Sequence, residues 1–263
     1  DLPILTRQRT DGHTASDIHD QVTMARSEEA SLYHLDVERL VDLEPDVILT
    51  QDLCDVCSID LDTVRRAAAT LPRPATVVSL NPSRIEDVFD DFIRIGSACG
   101  LEQNARETMA LLRERWWSAC DYVNPYVDGP MVAVLEWTEP LFIAGHWTPD
   151  IVVAAGGRHE LNAPGASSRI VTPEDLLENM PDRLVVCCCG RTLEEARRDL
   201  EAVSTSKWWP LLPAVQDGQV QLVDGQAMFS RPGPRLVDAM EWLTAWLQDR
   251  PHLSPADFPA TPW

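Results

Sequence analysis

Two stretches decide the fold: LDVERLVDLEPDVILT, Leu35 to Thr50, and VTPEDLLENMPDRLVV, Val171 to Val186. They align without a gap, 136 positions apart. Each opens on a helix N-cap residue, Asp36 or Thr172, and carries a glutamate, Glu38 or Glu174, at the second helical position. Leu40 or Leu176 follows two residues on, and Pro-Asp precedes an apolar strand. A carboxylate in the first turn meets the positive end of the helix dipole and is favoured there by ~0.3–1 kcal/mol. Good capping explains either copy alone. It does not explain one 16-residue helix-to-strand unit occurring twice, for which two similar lobes are the economical account.

Working outward, residues 46–51 (DVILTQ), 75–80 (ATVVSL), 130–137 (PMVAVLEW), 183–188 (RLVVCC) and 219–223 (QVQLV) read as strands. Ile85, Val88, Phe89, Phe92 and Ile93 form a helical stripe, with Ser83 and Glu86 as its S-x-x-E capping box and Gly100 at its end. A second stripe runs through Ala105, Met109, Leu112, Trp116, Ala119 and Val123. At 1.5 Å per residue it makes a helix of ~30 Å, long enough to join two lobes. Trp116 and Trp117 are read as packing residues on it. Leu236, Met240, Leu243 and Leu247 mark a closing helix, and the Pro-rich tail from Pro251 reads as irregular. Strands alternating with helices predict an α/β fold with mainly parallel sheets. The expected division is residues 1–103, 104–128 for the joining helix, and 129–263.

The 263 residues carry a formal charge of −20, and Lys207 is the only lysine among 22 basic residues. Such a charge disfavours nucleic-acid and anionic-lipid partners. No apolar run approaches the ~18–20 residues of a membrane span, so no membrane insertion is expected. Seven cysteines, three of them consecutive at Cys187, Cys188 and Cys189, argue against a disulfide scaffold. They favour a reducing cytoplasmic or organellar compartment; a secretory leader already removed would instead place the protein in the periplasm.

The repeated E-R-L…P-D-V-I and E-D-L…P-D-R-L units resemble the cobalamin- and siderophore-binding proteins of ABC importers. So do VLEWTEPLFIAGHWTPDIVVAAGG (Val134 to Gly157), FSRPGPRLVDAMEWL (Phe229 to Leu243) and the Q-D-x-C-x-V-C stretch from Gln51 to Cys57. The resemblance implies two Rossmann-like α/β lobes joined by one long helix, with a corrinoid, siderophore or other large metal chelate held in the cleft. It implies no enzymatic activity. It also implies that Glu38 and Glu174 dock onto an ABC permease. The family opens on a strand and helix of the type V-S-L-x-P-S-x-T-E ahead of Leu2-Pro3-Ile4-Leu5-Thr6. Either those residues precede this sequence, or the N-terminal lobe lacks its first strand and helix and another protein would cover its sheet edge.

Ligands of open α/β sheets bind beyond the carboxyl ends of strands. That rule selects Gln51, Asp52, Asn81, Trp137, Glu139, Cys189, Gly190 and the turn from Gly225 to Phe229. Trp137 and Trp147 offer flat faces for a macrocycle, or else pack in the core. His146 is a candidate metal ligand or a hydrogen-bonding loop residue. Arg231 either binds a ligand carboxylate or fixes its own loop through backbone carbonyls. Cys54 and Cys57 have the spacing of half a zinc site or a redox pair, and plain buried thiols are the simpler reading. The sequence contains no G-x-G-x-x-G after a strand, no G-x-x-x-x-G-K-[ST], no H-E-x-x-H and no G-x-S-x-G. Three functions remain: a chelate-binding protein, a zinc or thiol-redox protein using Cys54 and Cys57, and an interaction subunit of a larger assembly.

Overall fold

The computed structural model describes residues 3–10, 12–27, 32–52 and 59–263, so Cys54 and Cys57 lie outside the described residues. The chain forms two compact units, Asp1–Pro82 with Phe89–Met109, and Ser83–Val88 with Ala110–Trp263.

In the first unit β1 (Thr6–Gln8) pairs antiparallel with β2 (Tyr33–Leu35), Thr6 opposite Leu35. Between them lies α1 (Ala15–Ser27), whose start is fixed by reciprocal bonds. The Asp17 N–H donates to the Thr14 hydroxyl oxygen, and the Thr14 N–H donates to the Asp17 carboxylate. Then come α2 (Val37–Leu43), β3 (Val47–Thr50), α3 (Leu61–Ala68) and β4 (Thr76–Ser79). β3 and β4 pair in parallel, Val47 opposite Thr76.

Two helices follow, α4 (Ile85–Cys99) and α5 (Glu102–Cys120). The unit boundary falls inside both, after Val88 and after Met109. A Cβ on Gly96 would stand 2.3 Å from that of Ala105, so the close approach of the two helices requires a glycine. Gly100 adopts φ +68 and lets the Leu101 N–H reach the Gly96 carbonyl at 2.8 Å.

The capping box expected from Ser83 and Glu86 does not form; Asp87 caps the helix start alone. Its carboxylate accepts from the Ser83 N–H and hydroxyl and from the Arg84 N–H, each at 2.9 Å. Burial alone would raise the Asp87 pKa, but these bonds outweigh it and hold the pKa below the ordinary value. Glu86 pairs with Arg113 instead, at 2.7 Å. On α5, Trp116 is buried, but Trp117 is 60% exposed. That corrects the packing role expected for Trp117, since successive helical residues point about 100° apart and only one of the two can face inward.

The second unit holds β5 (Val132–Thr138), β6 (Leu141–Ile143), α6 (Thr148–Ala154), β7 (Arg169–Ile170), α7 (Pro173–Asn179) and β8 (Arg183–Val186). It continues with α8 (Leu193–Ser204), α9 (Pro213–Gln216), β9 (Val220–Val223), α10 (Arg235–Leu247) and β10 (Ala260–Pro262). One six-stranded sheet results, in the order β10-β9-β8-β5-β6-β7. β5, β8 and β9 are parallel at its centre, and β10, β6 and β7 are antiparallel at its flanks.

Alternate residues of the central strands serve two helical layers. Leu135, Leu184, Val186 and Cys188 join Leu176 of α7 and Leu200 of α8 in one buried cluster. Val134 and Val185 lie outside it and are equally buried, as are Ile151 of α6 and Leu236 and Met240 of α10. The tail after Pro251, expected to be irregular, is ordered. A single turn (Pro251–Leu253) leads into β10, which covers the open edge of β9 with Ala260 opposite Val223. An uncovered edge would leave a row of backbone groups without partners, which the apolar pattern of a three-residue strand is too short to announce.

The two repeat copies keep their offset through every element: α2 and α7 have seven residues each, and β3 and β8 four. Asp36 accepts from the Arg39 N–H, as Thr172 does from the Asp175 N–H. Both helices end on a left-handed residue that is not glycine, Glu44 (φ 42) and Met180 (φ 49), which turns the chain into Pro-Asp. Met180 is 59% exposed, so Met180→Gly relieves backbone strain at little cost in contacts. Urea denaturation should show a gain of about 1 kcal/mol. An unchanged or lower stability would show that the turn carries no strain.

Candidate functional site

The parallel strands β5, β8 and β9 deliver their carboxyl ends to one edge of the second unit's sheet, and backbone bonds knit the emerging loops together. The Cys189 N–H donates to the Glu136 carbonyl (3.0 Å), Gly190 N–H to Gly225 (3.1 Å) and Gly225 N–H to Arg191 (2.9 Å). Gly225 is required here, since a Cβ would stand 1.8 Å from the Cys188 carbonyl oxygen. Below the rim, Arg191 makes a bidentate pair with Asp199 at 2.8 and 3.0 Å, both side chains buried. Such a pair fixes geometry more than it adds stability, and it anchors the start of α8.

The turn after β9 is shaped by Asp224, whose carboxylate accepts from the Gln226 and Ala227 N–H groups at 2.8 and 3.1 Å. Phe229 follows in the left-handed region (φ 57) and is 4% exposed. Its carbonyl accepts from the Trp147 indole N–H at 2.6 Å. Trp147 is itself 4% exposed. It serves as an anchor for this turn, with no open face for a macrocycle.

Trp137 is half-buried and donates to the Glu139 carbonyl at 3.1 Å, while Glu139 is exposed. Arg231 is exposed and its Nε donates to the Gln226 carbonyl at 2.8 Å, the loop-fixing arrangement. Cys187 and Cys188 are buried and Cys189 is exposed. Burial pushes the first two thiols far up, which makes them inert as nucleophiles.

His146 sits in a turn at φ 52. Its N–H donates to the Ala166 carbonyl (2.6 Å), and its carbonyl accepts from the Gly165 N–H (2.9 Å). Its buried Nδ1 finds no hydrogen-bond partner, and burial holds the ring pKa below 6.5. The ring is held neutral, but its unused nitrogen is buried and not presented to solvent.

In the first unit, the Asp52 N–H donates to Asn81 Oδ1 at 2.7 Å, which ties together the carboxyl ends of β3 and β4. Gln51 is half-buried, and Asp52 and Asn81 are exposed. Glu38 and Glu174 are both exposed at the second positions of α2 and α7. Among the described residues, no three His, Cys, Asp or Glu side chains converge as metal ligands, and no helix is long and apolar enough to cross a membrane. Sequence reading found the strand ends but missed Arg191, Asp199 and Asp224, which organise them. Asp224-Gly225 is a turn signal; the Arg191–Asp199 pair leaves no signature in sequence.

A profile of the periplasmic binding protein family matches residues 31–227. No curated protein matches the chain. Among solved structures, an ABC transporter substrate-binding protein of Listeria monocytogenes is 18% identical with a TM-score of 0.70, over 82% of this chain and 81% of that one. A periplasmic heme-binding protein of Pseudomonas aeruginosa is 18% identical at 0.67, over 90% and 84%. The periplasmic vitamin B12-binding protein of Vibrio cholerae is 17% identical at 0.59, over 83% and 80%.

Burial also lowers the pKa of His159, whose Nδ1 bonds the Val132 carbonyl at 3.0 Å. With folded values below 6.5, the unfolded chain takes up protons first on acidification. The contribution of His146 and His159 is thus complete above about pH 6.5 and falls away below it. The urea midpoint should drop between pH 7.5 and 5.5, and less so in His159→Gln. An equal drop in the variant would remove His159 from the account.

Proposed function

We propose that this chain, which belongs to the periplasmic binding protein family, captures a large metal chelate in the periplasm and hands it to an ABC permease. It acts by binding and release, without catalysis. The observation that carries the reading is the hydrogen-bonded rim at the carboxyl ends of β5, β8 and β9, where ligands of such sheets bind. In this reading Trp137, Glu139, His146, Gly190 and Arg231 serve at the strand ends of the second unit, and Gln51, Asp52 and Asn81 at those of the first; Phe229, 4% exposed, shapes its loop through the backbone. Trp147 acts from beneath, by holding the Phe229 carbonyl.

The ligand class draws support from the heme- and vitamin B12-binding neighbours, and a corrinoid or haem fits it. The zinc or thiol alternative gains nothing from the described cysteines, and neither it nor an interaction subunit is favoured by the family. Titration with haemin, cyanocobalamin and a ferric hydroxamate siderophore, read by intrinsic tryptophan fluorescence, should give saturable one-to-one binding of one of them. Silence toward all three would overturn the proposal.

Glu38 and Glu174 are the proposed permease contacts. Both carboxylates are exposed, occupy equivalent positions in the repeat and can form charge-assisted pairs with arginines. Single exposed pairs contribute only ~0–1 kcal/mol, so the two act together. Glu38→Gln with Glu174→Gln should leave chelate affinity unchanged and weaken uptake in a reconstituted transporter. Unimpaired uptake would exclude the docking role.

A further inference from the structure

Phe229 holds a left-handed backbone at φ 57, and an aromatic residue keeps such a conformation only where its surroundings impose it. One side of that constraint is the Trp147 N–H on its carbonyl. The other comes from Trp242 of α10. The Phe229 ring stands edge-on to Trp242, with centroids 6.3 Å apart and planes at 81°. Trp242 stacks on Phe258 at 4.9 Å and 10°. The residue after Phe258 reaches the same loop through the backbone, as the Pro259 carbonyl accepts the N–H of Asp224 at 3.0 Å. Asp224 is the residue that shapes the turn leading to Phe229. Phe258 and Pro259 therefore brace both ends of the Asp224–Phe229 turn, one through an aromatic stack and one through a hydrogen bond.

We infer that Phe258 and Pro259 form a brace that sets the ligand-binding conformation of the Asp224–Arg231 loop, with Phe258 as a positioning residue acting through Trp242. The inference rests on the proposed role of that loop in chelate binding. Phe258 is half-buried, so it can be changed without opening a large cavity. The strand that follows is held independently: the Trp263 N–H donates to the Val220 carbonyl at 3.1 Å, and Arg197 lies over the Trp263 ring at 5.6 Å.

Three variants separate bracing from general stability: Phe258→Ala removes the stack, Phe258→Tyr keeps it, and Trp263→Ala weakens the strand without touching the loop. Amide hydrogen exchange of the full chain reports the loop directly. Gln226 to Ser230 should exchange faster in Phe258→Ala alone, with the remainder of the sheet unchanged. Haemin and cyanocobalamin titrations report the consequence, a roughly tenfold weaker affinity from lost preorganisation in Phe258→Ala, restored in Phe258→Tyr. If the wild type binds neither probe nor a ferric hydroxamate siderophore but loop exchange still rises in Phe258→Ala, the brace stands and the functional reading fails. If loop exchange is the same in Phe258→Ala as in the wild type, or rises equally in Trp263→Ala, the brace is overturned.

Discussion

Strand β8 is paired in parallel on both sides, with β5 and with β9, and residues 184–188 are buried. The rim of the second unit inherits its register. Because side chains alternate across a sheet, a slip of one residue would send Leu184, Val186 and Cys188 to the face now lined by Val185 and Cys187. It would also move the point at which Cys189 and Gly190 emerge, and with it the bonds to Glu136 and Gly225. A buried, doubly paired strand offers no such slack. The short helix before it contributes to this, since its N-cap and left-handed terminus fix where Pro181-Asp182 begins the strand. The Asp182 carboxylate then accepts the Met131 N–H at 2.7 Å, so the neighbouring β5 is set from the same turn.

Much of this frame was legible because each strand is a short apolar run, which at β5, β8 and β9 reflects burial on both faces. DVILT, TVVS, MVAVLEW, RLVV and QVQLV each stand out against their flanks, and the gapless repeat identified the turn chemistry that joins helix to strand. What stayed hidden was short or exposed. β1, β2, β6, β7 and β10 have two or three residues apiece, too few for alternation to register. Helix α1 carries a weak stripe, and its Thr14–Asp17 box uses aspartate in place of the usual Glu or Gln. At α4, the choice between Glu86 and Asp87 as the capping carboxylate depends on which residue begins the helix, and a shift of one position decides it.

The candidate site was legible at the level of strand ends and less so at the level of roles. Gln51, Asp52, Asn81, Trp137, Gly190, Phe229 and Arg231 all lie at or just past those ends. Their division of labour depends on partners distant in sequence: Trp147 bonds Phe229 across 82 positions, and Phe258 braces the loop through Trp242. No local pattern encodes such pairings. The family-like segments W-T-E-P-L and R-P-G-P-R-L therefore carried the functional expectation, and the geometry explains what those segments build: a turn around Trp137 and Glu139, and a loop fixed by Arg231 on Gln226.

The account places ligand capture at the carboxyl ends of the parallel strands. Hydrogen exchange of the whole chain, with and without saturating chelate, tests that most directly. Protection should appear at Gln51–Asp52, Asn81, Glu136–Glu139, Cys189–Gly190 and Gly225–Arg231, and not at the turns that lead into the same strands, Pro130–Met131, Asp182 and Asp217–Gln219. Protection confined to those amino-end turns would contradict it.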